Sequence, residues 1–136
     1  MAKKNIKTHP GKVLEMAKAM KPVLAEAKRN TDTLFSNIKS STTANKGKSY
    51  WNGSKAFAWY GVAVRNCAND YYKIANVAAM YSKMCASAYK FETDDKKLQG
   101  KEISRAVSLH DMSQAFDSLK DSCKTKRNQV ITWGKS

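Results

Sequence analysis

Trp51-Asn52-Gly53, near the middle of a 136-residue chain and flanked by two long apolar-periodic segments, decides how this sequence reads. Asn-Gly accepts the positive φ angles of a sharp reversal, and the Trp51 ring can lie over the joint while its indole N–H finds an acceptor. A short connection makes two helices antiparallel neighbours, so a helical hairpin turning at these three residues is expected.

Upstream, apolar positions run Val13, Ala17, Met20, Leu24, Ala27, Thr31, Leu34 and Ile38 in alternating steps of four and three, the seam of a helix packed lengthwise on another. Pro22 sits inside that stripe and removes a backbone donor, which predicts a kink or a restart near Lys21, with Val13 to Met20 as a separate turn or two. Residues 1–11 read as a disordered basic arm ending at Pro10-Gly11, and the pattern past Ile38 gives way to a turn-rich linker, Ser40 to Gly47.

Downstream, Ser54 offers a hydroxyl cap, and the stripe Phe57, Tyr60, Val64, Cys67, Tyr71, Ile74, Ala78, Tyr81, Cys85, Ala88 continues in unbroken steps of three and four. Steps averaging about 3.5 favour shallow, coiled-coil-like crossings. Further apolar residues flank this seam, among them Trp59, Val62, Ala75, Val77, Met80 and Met84. One antiparallel helix covers a single stripe, so either the C-terminal segment or another chain must cover the rest.

After Phe91 the run Glu92-Thr93-Asp94-Asp95, then Gly100, closes the second helix. A third helix is expected near Ser108, with Asp111 three residues on and a stripe of Leu109, Met112, Phe116, Leu119 and Cys123; Ile103 and Val107 belong to it or to the connection before it. The tail from Lys124 to Ser136 reads as basic and loose, with Trp133 as a candidate anchor. The expected fold class is therefore all-α: a basic arm over 1–11, an antiparallel hairpin over 12–98, and a C-terminal helix with a basic tail over 99–136.

Composition agrees, with 2 Pro, 6 Gly and 42% hydrophobic residues leaving few obligatory helix breaks. Net charge is +14, of which residues 1–55 hold 12 − 3 = +9. Such a field attracts polyanions, so nucleic acid, an anionic membrane surface and an acidic protein are all admitted, as is a plain Lys-rich surface. No apolar run approaches the roughly 20 residues of a membrane span. The start, Met1-Ala2-Lys3-Lys4-Asn5, is not a secretory signal peptide, so any export is expected to use a route without a cleaved signal.

Catalytic constellations are missing. His9 and His110 have no nucleophile arranged beside them, Asp94-Asp95 are neighbours that do not converge, and no P-loop, dinucleotide fingerprint or zinc spacing occurs. Neither an enzyme nor a cofactor or metal is expected. Cys67, Cys85 and Cys123 read as small buried apolar residues; Cys67 and Cys85, on one helix, would stand about 27 Å apart, too far to pair.

Trp51, Asn52 and Gly53 between two helical patterns resemble the Trp-X-Gly signature of the WXG superfamily, small helical hairpins exported by type VII secretion systems. Phe91 and Asp95, four apart on one helical face, are similar to the Phe-x-x-x-Asp pattern of the helical partner proteins of LXG-type toxins. The commoner Tyr-x-x-x-Asp/Glu signal would need an acid opposite Tyr89, where Thr93 stands. The resemblance covers residues 12–98, and this chain is longer and more basic than usual for that superfamily.

The resemblance implies a non-enzymatic partner that binds the helical N-terminal region of a larger secreted toxin and contributes an export signal. Trp51, Asn52 and Gly53 would set the turn, Phe91 and Asp95 would meet the secretion-system ATPase, and Phe57, Tyr60, Val64, Tyr71, Ile74, Met80, Tyr81 and Met84 would pack the partner. The protein would be cytoplasmic before export and then secreted. A self-associating secreted substrate, homodimeric or paired with a second small helical protein, is one alternative. A basic nucleic-acid binder is the other, disfavoured because Arg29, Arg65, Arg105 and Arg127 are scattered.

Overall fold

The computed structural model describes residues 8–45, 53–94, 98 and 100–135, and the side chains of these except 43–45, 53–60 and 135. Three helices account for nearly all of them, α1 (Pro10–Asn45), α2 (Gly53–Thr93) and α3 (Lys101–Lys135), with no strand among the described residues. Thr31 and Asp32 of α1 meet Cys67 and Tyr71 of α2, while Leu34 and Ser41 reach back to Val62, so the two helices are antiparallel. In α3 the order reverses again: Phe116 lies beside Tyr81, and Gly134 beside Val64.

The long seam on α2 is the axis of the bundle. Cys67, Tyr71, Ile74, Ala78, Tyr81, Cys85 and Ala88 are all buried, and Val64 is half-buried. Burying each large side chain contributes roughly 1.5–3 kcal/mol, which explains why the steps of three and four survive over so many turns. The expected linker over Ser40–Gly47 is overturned for its described part, since α1 continues through Asn45. Ser and Thr disfavour a helix interior by only a few tenths of a kcal/mol each, and Ser41 is half-buried where it lines a groove shared with Val62 of α2.

Pro22 does not restart α1, which runs unbroken from Pro10. The proline ring is exposed and the residue whose carbonyl loses its donor, Lys18, is exposed as well, while Ala17 and Leu24 on the opposite face are fixed in the core. Pro10 itself begins the helix, where no N–H is required; the His9 carbonyl accepts the N–H of Lys12 at 3.0 Å and of Val13 at 3.1 Å. The α1 stripe also shifts phase. Phe35 takes the buried place expected for Leu34, because its ring meets Trp133 edge-on at 5.8 Å and so faces α3.

The third helix begins at Lys101, seven residues before the expected Ser108, and runs through Lys135. Gly100, at φ +44°, supplies the left-handed backbone that the preceding turn needs. Ile103 and Val107 belong to α3 but are exposed, and Ala106 packs inward instead. The tail is helix and not loose chain. Trp133 anchors it on Phe35, and Cys123 and Val130 are fully buried along the way. The C-terminal segment therefore covers α2 at Val64, Tyr81 and Ser82, while Val62 and Met80 of the flanking apolar set remain exposed.

Close approach of α2 and α3 rests on small residues. Ser113 Oγ donates to the Ser82 carbonyl at 3.1 Å, and Ser82 Oγ lies 3.0 Å from both the Ser113 carbonyl and Asp117 Oδ1, its single proton shared between them. At the other end, a Cβ on Gly134 would stand 2.8 Å from Val64 Cγ1. Gly134→Ala should therefore destabilise by about 1 kcal/mol despite the better helix propensity of alanine, and should stabilise in a Val64→Ala background. A urea double-mutant cycle measures this; equal effects in both backgrounds would show that the contact is not limiting.

Candidate functional site

Two features of the bundle are chemically distinctive: a buried ion pair at the tip where α2 hands over to α3, and an open groove between α1 and α2. At the tip, Glu92 occupies the next seam position after Cys85 and Ala88, and is 1% exposed. Arg105, one turn into α3, places Nε and Nη2 each 2.5 Å from Glu92 Oε1. The guanidinium also lies over the first turn of α1, with Nη1 3.5 Å from where a Gly11 side chain would begin. One side chain thus pairs the end of α2 with the start of α3 and lies close to the first turn of α1.

A second, half-buried polar knot sits at mid-height. The Tyr71 hydroxyl donates to Asp32 Oδ1, and Lys28 Nζ donates to Asp32 Oδ2 at 3.0 Å. Burial pushes the Asp32 carboxyl up, but the Tyr71 hydroxyl and Lys28 together hold it below its ordinary value of 3.8. Burial, and then the hydrogen bond to Asp32, pushes Tyr71 far up, so it remains a neutral donor. Because the folded Asp32 value is depressed, its stabilisation is present above pH 3.8 and is lost as pH falls through the folded value. Asp117, held down first by the Ser82 hydroxyl and then by Lys120, behaves alike. Tyr71→Phe should cost about 1–2 kcal/mol at neutral pH and progressively less below pH 4, as read from urea midpoints across pH; a cost independent of pH would discount the Asp32 bond.

The thiols are not reactive sites. Burial pushes Cys67 and Cys85 up to about 11 and raises Cys123, and all three are free and buried. His9 is exposed just ahead of α1, and His110 is exposed with its ring 5.4 Å from Tyr89. Among the described residues no three His, Cys, Asp or Glu converge on a point that could hold a metal ion.

The expected site residues are placed unevenly. Trp51, Asn52 and Asp95 lie outside the described residues, as do the side chains of Phe57 and Tyr60; Gly53 is the first residue of α2. Phe91 is half-buried in the last turns of α2. Tyr71, Ile74 and Tyr81, expected to pack a partner, are buried in the chain's own core, Val64 meets α3, and Met84 packs half-buried against the core. Among the members of that set whose side chains are described, Met80, at 51%, is the exposed one. Glu92 and Arg105 escaped the sequence reading, although the seam's own steps of four and three lead from Cys85 through Ala88 to position 92.

The groove between α1 and α2 is lined by Leu34, Asn37, Ile38, Ser41, Val62 and Ala63, with Asn66 at its edge, and encloses about 680 Å³. It lies on the side of the hairpin away from α3, since Phe35, one residue round from Leu34, is what meets Trp133. No helix is long and apolar enough to cross a membrane among the described residues. No family model, curated protein or solved structure matches the chain.

Proposed function

We propose that this protein is a non-enzymatic helical partner of a type VII secretion pathway, which binds the helical N-terminal region of a larger secreted toxin and contributes an export signal. The observation that supports this best is the position of the chain reversal. Two long antiparallel helices, of 36 and 41 residues, are joined across 46–52, and the Trp51-Asn52-Gly53 signature stands at the entry to the second. Phe91 lies in the last turns of that second helix, which ends at Thr93; Asp95, four residues on in sequence, is outside the described residues. A bundle with an open, largely apolar groove suits the binding of a helix.

The test is co-expression with a neighbouring gene that encodes an LXG-type toxin, followed by size-exclusion chromatography and a secretion assay. A stable complex is expected, with toxin export abolished by Phe91→Ala or Asp95→Ala while the complex itself persists. A monomer that captures nothing, or export indifferent to both changes, would overturn the reading.

A further inference from the structure

Along α1, the eight positions that recur in steps of four and three from Met16 to Ser41 (16, 20, 23, 27, 30, 34, 37 and 41) carry no charge, on a chain of net charge +14. Val23 and Leu34, eleven residues apart, fall within about 20° of one another around the helix, and both are exposed. On α2, Val62 and Met80 are eighteen residues apart, five whole turns, and so stand in one line about 27 Å long. They are 53% and 51% exposed. The groove at Leu34 and Val62 thus opens onto an uncharged α1 stripe and onto an α2 line from Val62 to Met80 that carries one cation, Lys73, within about 20° of Val62 around the helix.

Its two rims differ in charge. On the α2 side Arg65, Lys83 and Lys90 follow the outer edge, beside Lys73 on the line from Val62 to Met80; all are exposed, and none has an acid partner among the described residues. On the α1 side the flank carries Glu15 and Glu26, and Glu26 is already engaged by Arg29. A second copy of this chain would bring one unengaged acid, Glu15, to four cations. Self-pairing is thus electrostatically mismatched.

We infer that the outer α1–α2 groove is a docking site for one amphipathic helix of another protein, with an apolar seam flanked by Asp and Glu on the side that faces α2. The bundle then gains a fourth helix where α3 does not reach. This deepens the toxin-partner reading and rests on it for the partner's biological identity, but the groove's chemistry is tested separately.

The probe is a designed amphipathic helical peptide with a leucine seam and glutamate flanks, compared with its lysine-flanked counterpart, on isotopically labelled full-length protein. The acidic peptide should bind with shifts confined to Leu34, Val62, Asn66 and Met80, and should weaken about tenfold between 0.05 and 0.5 M salt. Leu34→Asp with Val62→Asp, both on the surface and so compatible with folding, should weaken it by about tenfold or more. Failure to bind at about 100 µM, equal binding of both peptides, shifts located elsewhere, or a stable homodimer through this face by sedimentation would each overturn the inference. If the peptide fails while toxin export still depends on Phe91 and Asp95, the groove assignment is wrong and the secretion reading stands; the reverse result separates them the other way.

Discussion

A chain ending at Gly100 should not form a stable hairpin. From α3 it loses Leu109, Phe116 and Val130, each no more than 1% exposed in the intact protein. Three such side chains account for roughly 5–9 kcal/mol of burial, as much as the whole stability of many domains. The remaining hairpin would bare Ala75, Tyr81 and Ser82 on α2 and leave Glu92 without Arg105. Circular dichroism with urea titration should show a non-cooperative or aggregating species, and a peptide of residues 101–136 added in trans should restore a sharp transition. A cooperatively folded monomer of residues 1–100 would show that α3 is an appendage. The result bears on function, because a hairpin that already carries its own covering helix offers a partner its outer groove and not that face.

Arg105→Ala should destabilise the protein by about 3 kcal/mol, because it strips a buried carboxylate of its guanidinium. In a chain of this size that lowers the melting temperature by about 10 °C. Glu92→Gln should cost less, about 1 kcal/mol, since Arg105 is 35% exposed and can return to water. Arg105→Lys should fall between, because an ammonium cannot supply both the Nε and Nη donors that meet Oε1. The asymmetry between the Arg105 and Glu92 changes is the diagnostic; equal losses would mean that side-chain volume and not the buried charge is at stake.

Periodic features of the bundle were legible in the residues. The α2 seam from Cys67 to Ala88 is buried as its steps of three and four require, and the buried thiols fall on seams. Features resting on local propensity read less well. Ser40 to Asn45 spell a turn by composition and are helix, and at Pro22, where a kink or a restart was expected, the helix does not restart. In each place the local preference amounts to about 1–3 kcal/mol or less, and packing on either side exceeds it.

The polar members were hardest to read. Glu92 looks like a helix-ending acid until Arg105, thirteen residues on, is brought back to it, and Asp32 looks like surface until the Tyr71 hydroxyl reaches it from the next helix. Leu34 and Phe35 are adjacent and both apolar, so one strand of text cannot say which faces inward. Trp133, arriving from the far end of the chain, selects Phe35 and leaves Leu34 in the open groove.

By itself, then, the order of residues determined helices, their seams and the excess of apolar surface, because a period of about 3.5 is a local property of the chain. Which helix covers that excess, which charges are buried in pairs and which face remains open were decided only when three helices packed together. Burial and charge pairing depend on neighbours distant in sequence, and no local pattern records them.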